Sequence, residues 1–322
     1  MKHWLHSALS CVLSGFCMSV AMAQGFPSKP VHIVVPFSPG GTADVLARLI
    51  GQKMSEGLGQ QVLVENRPGA GTVIATEYVA RAPADGHTLL LMGNSFAINP
   101  GLHDKLPYDP LKDFVPITML VRSPQVLVVN PALQVKSLAE FIALVRSRPG
   151  QLSLATVGPA TTQHIASEML KGVMKLDMIY APYPGGAPAV TALVGGHVNA
   201  VLANYSEVAT QISSGKIRAI AVTSRERMAS LKDVPTVAES GFGDFEAVAW
   251  FGLVVTGGSP PAAIARLNAE ANKALKAPDV REKLIAQALY PAGTTPGEFD
   301  AHIRSEMSKY AKVIKEAGIK VD

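Results

Sequence analysis

Apolar and polar residues follow two recurring patterns along this chain. Short, β-branched apolar runs such as Val31–Val35 are typical of buried strands. Other stretches place apolar residues every three or four positions, as at Val45, Leu46, Leu49 and Ile50, which predicts helices. Because the two kinds of segment alternate through most of the sequence, we predict an α/β protein with two mainly parallel sheets.

The first predicted strand leads through a proline- and glycine-rich loop into a helix. The first N–H groups of a helix have no partner within it, and the helix dipole adds partial positive charge there. Gly40 and Gly41 allow another group to approach this backbone closely. The unit therefore predicts an anion site, most simply for a carboxylate. A tight strand–helix turn in which Thr42 or Asp44 caps the helix explains the same residues.

Similar units follow along the chain. Further strands are predicted at 61–66, 88–92, 115–121, 125–130, 151–157, 178–183, 198–204, 217–222 and 245–255. The segment 93–95 is predicted to be a polar loop, and 99–116 is proline-rich and predicted to be irregular. Three helices are predicted to close the chain, at 261–277, 279–289 and 296–317. Two of the predicted helices begin with a capping-box pattern, Ser137 with Glu140 and Thr295 with Glu298.

The units form two series, and the extended segment at 245–255 is long enough to return from one series to the other. This organisation predicts two lobes joined by a hinge. The expected first lobe comprises 24–124 and 249–322, and the expected second lobe comprises 125–248. Ligands of open α/β sheets bind at the carboxyl ends of strands. We therefore expect one cleft to be lined by the loops at 36–44, 93–97, 158–164 and 204–206.

Residues 1–23 have the pattern of a secretory signal peptide. Lys2 precedes an apolar stretch from Ala8 to Val20, and small residues lead to an expected cleavage after Ala23. A lipoprotein anchor is the alternative, but the bulky Phe16 precedes Cys17, where a small residue is needed. Both cysteines of the sequence lie in this segment, so the mature chain is expected to have no disulfide. The pattern predicts a soluble, periplasmic protein.

Composition limits the classes of partner. The chain has 322 residues, enough for two domains, and a formal net charge of +4. No dense Lys/Arg block is interleaved with aromatic residues, so we expect no nucleic-acid partner. Dinucleotide, phosphate-loop and nucleophile-elbow motifs are incomplete or absent, and no two histidines of the expected mature chain are four residues apart. We therefore expect binding without a catalytic residue, metal or cofactor.

Eight short stretches, in order, carry a resemblance to a known family: Pro27-Ser-Lys-Pro30, Val35-Pro-Phe-Ser-Pro-Gly-Gly-Thr-Ala-Asp44, Val64-Glu-Asn-Arg-Pro-Gly-Ala-Gly71, Asp85-Gly-His-Thr-Leu89, Leu106-Pro-Tyr-Asp-Pro110, Val128-Val-Asn-Pro131, Asp233-Val-Pro-Thr236 and Trp250-Phe-Gly252. The chain resembles the Bug (TctC-like) extracytoplasmic receptors of tripartite tricarboxylate transporters over essentially its mature length. The resemblance implies a two-lobed periplasmic-binding-protein (Venus flytrap) fold and membrane permease subunits as partners.

The resemblance also implies a site in which both lobes hold a ligand carboxylate. Its expected residues are Phe37, Gly40, Gly41, Thr42, Asp44 and Ser95 in the first lobe and Gly158, Thr161, Thr162, His164 and Asn204 in the second. Two departures bear on the ligand. Pro184 stands where the family often has lysine, and Ala203 stands where an aspartate is associated with amino-acid ligands. An organic acid, aromatic or dicarboxylic, is therefore favoured.

Two other functions remain open on the sequence. An exported enzyme of this fold would need a general acid or base, for which His164 and Asp44 are the candidates, and they fall in different lobes. A ligand-presenting sensor would bind its ligand as a receptor does but engage a signalling partner. For the receptor that the resemblance implies, we expect a monomer.

Overall fold

The computed structural model describes residues 25–158, 160–183 and 185–320. Its strands are β1 Val31–Val35, β2 Val62–Asn66, β3 Thr88–Gly93, β4 Phe114–Val129, β5 Ser153–Thr156, β6 Ile179–Pro182, β7 Ala200–Asn204, β8 Arg218–Val222, β9 Val248–Thr256 and β10 Tyr290–Pro291. Its helices are α1 Thr42–Leu58, α2 Val73–Ala80, α3 Asn94–Leu102, α4 Leu138–Ser147, α5 Thr162–Met174, α6 Gly186–Val194, α7 Tyr205–Ser213, α8 Pro261–Lys276, α9 Pro278–Ala286 and α10 Pro296–Ala317. The expected signal peptide and Pro184 lie outside the described residues.

The strands form a continuous order, β2-β1-β3-β9-β4-β7-β5-β6, and both β8 and β10 pair with β4. Strands β1, β2 and β3 are parallel to one another, as are β5, β6 and β7. The pairs that involve β4 or β9 are antiparallel. Each lobe therefore has the parallel strands that the sequence predicts, and the sheet becomes mixed where the chain crosses between the lobes.

Strand β4 connects the two lobes without interruption. Up to Pro124 it pairs with β9, and from Gln125 it pairs with β7. The sequence predicted two separate extended segments here, because Arg122, Ser123 and Pro124 interrupt the apolar run. Ser123 is nonetheless 3% exposed and paired with Ala249 of β9, so the ladder continues through the polar residues.

The core explains why β1 is apolar at nearly every position. Ile33 packs with Leu46 of α1 on one face of the first sheet, and Val34 packs with Trp250 and Phe299 on the other. A strand covered on both faces requires apolar side chains in both directions. The second lobe has apolar clusters of its own on the two faces of its strands.

The lobes also touch each other away from the crossing strands. Ile165 of α5, a second-lobe helix, is fully buried in the apolar cluster that contains Phe96 and Tyr310 of the first lobe. The two lobes are therefore in contact around the space between them. None of the helices in the described part of the chain combines the length and apolar character that a membrane crossing requires.

Of the two predicted capping boxes, the one at Thr295 is confirmed in full and the one at Ser137 only in its N-cap. Thr295 Oγ1 accepts from the N–H of Glu298, and Glu298 Oε2 accepts from the N–H of Thr295 at 2.8 Å. Ser137 caps α4 as predicted, but Glu140 accepts from the N–H of Lys136, one residue earlier than the box pattern requires. The α10 box was fully readable from the sequence because it depends on four consecutive residues.

The prediction for 93–102 is wrong. Helix α3 begins directly after β3 and continues to Leu102, where the sequence predicted a polar loop and then an irregular segment. Asn94, Ser95 and Asn99 are buried, so their polarity does not mark a surface loop. Pro100 lies inside this helix, at a position that ordinarily argues against helix.

Candidate functional site

A cavity of about 310 Å³ lies between the lobes. Its walls include residues that follow β1, β3, β5 and β7, at the carboxyl ends of these strands. The lining residues at helix starts are Gly41, Thr42, Asn94, Ser95, Thr161, Thr162, Gly185, Gly186 and Asn204. The cavity therefore collects segments that are far apart in the sequence but equivalent in the fold.

Five helices among the described elements begin at this cavity: α1, α3, α5, α6 and α7. The first N–H groups of each helix lack partners within the helix, and the partial positive ends of the dipoles meet at one place. Such a convergence favours an anion without requiring lysine or arginine. In the described wall of the cavity there is indeed no basic side chain.

The loop before α1 is held in place by Asp44. The Gly40 N–H donates to Asp44 Oδ2 at 2.9 Å, and Arg48 forms an ion pair with the same carboxylate. The hydrogen bond from Arg48, together with that from Gly40, lowers the pKa of Asp44 to about 2. Gly40 has φ +83°, where a side chain would be strained. Neither Gly40 nor Asp44 belongs to the cavity wall; they shape the turn that presents Gly41 and Thr42.

The second-lobe loop is built around Thr161. Thr161 Oγ1 donates to the carbonyl oxygen of Gly158 at 2.8 Å and accepts from the N–H of His164 at 3.2 Å. This cap begins α5 and directs Thr161 and Thr162 to the cavity. Gly158, at φ +105°, allows the sharp turn but is not part of the wall.

The structure places His164 inside the second lobe, away from the cavity wall. Its Nδ1 is 2.7 Å from Thr156 Oγ1, and its ring packs against Tyr180. Burial lowers the pKa of His164, which favours the neutral imidazole. Asp44 and His164, the two acid–base candidates, are therefore both engaged in structural contacts outside the cavity.

Asn94 and Ser95 enter the cavity wall from the start of α3. Asn94 Oδ1 accepts from the N–H of Trp250 at 2.9 Å, and its Nδ2 donates to Tyr310 Oη at 2.6 Å. These contacts fix α3 against β9 and α10. Ser95 Oγ donates to the carbonyl oxygen of Ala160 in the second lobe, so this predicted residue reaches across the cleft.

Asn204, one of the expected site residues, lies in the wall together with Glu207, which the sequence analysis missed. The main-chain N–H of Asn204 donates to Glu207 Oε2 at 3.2 Å, and its Nδ2 donates to Glu207 Oε1 at 3.3 Å. Burial raises the pKa of Glu207, while the hydrogen bonds from Asn204 oppose that shift. The spacing of Asn204 and Glu207 is that of a capping box, which was the available signal.

Apolar side chains complete the cavity. Phe37 and Phe251 meet edge to face with ring centroids 6.5 Å apart, and Val157 and Ala249 also lie in the wall. Of these, only Phe37 was among the predicted residues. Phe251 comes from β9, which the sequence analysis considered a connection between lobes and not a contributor to the site.

Two lobes that enclose a cavity lined mostly by neutral polar groups and apolar side chains are typical of solute-binding receptors. Residues 46–319 match the family described as tripartite tricarboxylate transporter family receptor, and the chain belongs to this family. Protein BugT of Bordetella pertussis is 39% identical over 303 residues, which is 93% of this chain and 92% of that protein.

Solved structures agree with this assignment. Rpa4515 of R. palustris, determined with adipate, is 33% identical with a TM-score of 0.83, covering 92% of this chain and 99% of that one. MatC of Rhodopseudomonas palustris, determined with bound malate, is also 33% identical with a TM-score of 0.79, covering 90% of this chain and all of that one. The predicted family and the two-lobed periplasmic-binding-protein fold are thus confirmed, and the family consists of periplasmic receptors, not enzymes.

Proposed function

We propose that this protein is a periplasmic receptor that captures a small organic acid and delivers it to the permease subunits of a tripartite tricarboxylate transporter. The observation that carries this proposal is the meeting of five helix N-termini at one cavity between the lobes. Neutral donors at helix starts suit a carboxylate that must be bound firmly and later released.

The carboxylate is proposed to join the lobes through two of these helix starts. Gly41 and Thr42 supply donors from the first lobe, and Thr161 and Thr162 supply donors from the second. Hydrogen bonds to a charged group contribute about 1.5–3 kcal/mol each. A few such bonds are compatible with a micromolar dissociation constant, which corresponds to about −8 kcal/mol.

Relatives and the apolar wall support the class of ligand. Rpa4515 was determined with adipate and MatC with malate, both of which are small carboxylates. In this chain Phe37 and Phe251 offer an apolar surface beside the helix starts. The proposed ligand therefore combines a carboxylate with an apolar portion.

The organisation of the chain supports the same proposal. Because β4 changes its pairing partner at Pro124 and Gln125, and β9 begins at Val248, we propose lobes at 24–124 plus 249–322 and at 125–248. We further propose export with cleavage after Ala23, and action as a monomer.

A thermal-shift screen tests the proposal. The mature chain, residues 24–322, is heated with mono-, di- and tricarboxylates, aromatic acids, amino acids and uncharged analogues. A ligand at 100 times its dissociation constant adds about 2.7 kcal/mol, which is a shift of a few degrees. Stabilisation by carboxylates alone supports the receptor, and recovery of the ligand unchanged separates it from an enzyme. If a folded, ligand-free protein is not stabilised by any carboxylate of the panel, the proposal is contradicted.

A further inference from the structure

Glu207 is the single ionisable side chain in the described wall of the cavity. The rest of that wall is formed by main-chain groups and by neutral polar or apolar side chains. A carboxylate in a cavity that otherwise suits anions requires a physical explanation. The capping hydrogen bonds explain why Glu207 lies near Asn204. They do not explain why a negative charge lies in a cavity that is proposed to bind an anion.

The carboxylate of Glu207 rests on the first residue of the neighbouring helix α6. A Cβ added at Gly186 would lie 2.5 Å from the carboxylate oxygens, so the glycine is what makes room for them. Both oxygens accept hydrogen bonds from Asn204. Burial raises the pKa of Glu207, whereas the donors from Asn204 and the start of α6 favour the ionised side chain. The inference concerns the ionised form, which is an acceptor towards the cavity and is most populated at high pH.

An ionised Glu207 acts differently on different ligands. A ligand with one carboxylate at the Gly41 and Thr161 helix starts leaves Glu207 as an acceptor for a hydroxyl or ammonium group. A second ionised carboxylate in the same cavity of about 310 Å³ meets a like charge, and the repulsion grows as the effective dielectric constant falls below that of water. Selection by a repulsive contact is a general route to specificity.

We propose that Glu207 determines specificity: the receptor prefers a monocarboxylic acid that carries a hydrogen-bond donor over the matching dicarboxylate. This inference rests on the proposed function, because it requires a ligand carboxylate in the cavity. Among the organic acids of the proposed function, it favours those whose second polar group is a hydrogen-bond donor over those whose second polar group is an ionised carboxylate.

Calorimetric titration at pH 8 tests the inference with matched acids of three to six carbons. Each ω-hydroxy acid, such as 5-hydroxypentanoate, is compared with the dicarboxylate of the same length, such as glutarate. We expect the unmodified protein to bind the best hydroxy acid at least tenfold more tightly than its dicarboxylate. In Glu207→Gln the ratio is expected to fall by tenfold or more, because glutamine keeps one acceptor oxygen for the main-chain N–H of Asn204 and loses the charge.

Glu298→Gln is the matched control. Glu298 occupies the same capping-box position at the exposed start of α10, and its Oε2 also accepts from the preceding cap residue, at 2.8 Å. This variant is expected to keep the selectivity of the unmodified protein. A wild-type protein that binds the dicarboxylate as tightly, or a ratio that Glu207→Gln leaves unchanged, overturns the inference while the receptor proposal stands. Failure of every acid in the series overturns the inference, and the receptor proposal falls as well only if no carboxylate of the thermal-shift panel binds.

Discussion

Ser95 Oγ in the first lobe donates a hydrogen bond of 2.9 Å to the main-chain carbonyl oxygen of Ala160 in the second lobe. The bond crosses the cleft beside the cavity, and Ser95 is 9% exposed. Together with the burial of Ile165 among first-lobe residues, it shows the two lobes closed on each other. This contact between the lobes is thus made by a side chain that is also part of the cavity wall.

Removal of this contact should weaken ligand binding. Ser95→Ala is expected to raise the dissociation constant about 2- to 10-fold, because a hydrogen bond contributes about 0.5–1.5 kcal/mol and the closed form loses one. Titration calorimetry measures the effect. Ser213→Ala is the control, since Ser213 is exposed and bonds within its own helix. Equal affinities for the two variants would show that the bond across the cleft does not contribute to closure.

A negative charge at the start of α1 should abolish binding without unfolding the protein. Gly41 is the N-cap with φ −79°, and an added Cβ would meet no atom closer than Ser38 O at 3.7 Å. Aspartate is a favourable N-cap residue, so Gly41→Asp should fold, but its carboxylate competes with the ligand for the same donors. Gly41→Asn has the same shape without the charge and should bind more tightly than Gly41→Asp. Unchanged affinity in Gly41→Asp would contradict the placement of the ligand carboxylate.

Asp44 should stabilise the fold above pH 4 and lose this effect in acid. Its pKa falls from an ordinary 3.8 to about 2, so the stabilisation is complete above the unfolded value and disappears as pH falls through 2. Asp44→Asn is expected to cost about 1–2 kcal/mol at pH 7 and progressively less below pH 4. Urea unfolding of both proteins across this range measures the difference. A constant difference down to pH 2 would argue against the ion pair with Arg48.

His164 should make the fold less stable as pH falls below about 6.5. Because burial lowers its pKa in the folded protein, the unfolded chain binds a proton first, and protonation there favours unfolding. His164→Asn removes this sensitivity and is expected to lose less stability between pH 7 and 5. His197→Asn, at an exposed position, serves as the control for the loss of a histidine. Parallel pH profiles for the wild type and His164→Asn would contradict the prediction.

Local signals predicted most of the fold correctly. The runs at Val31–Val35 and Ala200–Asn204 are strands, and the box at Thr295 starts a helix where it was expected. The segment at Asn94 was predicted wrongly because its environment is not local. Asn94 is buried by contacts with Trp250 and Tyr310, which lie 156 and 216 residues away.

For the candidate site, the sequence and its resemblance to the family identified which segments border the cavity. They did not show which side chains of those segments point into it. Gly41, Thr42, Thr161 and Thr162 are in the cavity wall because each lies at the start of a helix that follows a strand. Asp44 and His164 lie in the same segments but point to Arg48 and Thr156. One residue further along a helix changes the direction of a side chain by about 100°, and a single-letter pattern does not show which neighbour it meets.

By itself the sequence determined the family, the alternation of strands and helices, and the helix starts at Thr42 and Thr162, because these depend on periodicity and on short motifs. Only the tertiary structure decided that Ser95 reaches Ala160, that Phe251 joins the wall, and that Glu207 is the charge beside it. Those relationships depend on how two lobes close over one space. Residues far apart in the chain become neighbours there, and these neighbours decide whether a polar side chain caps a helix or contacts the other lobe.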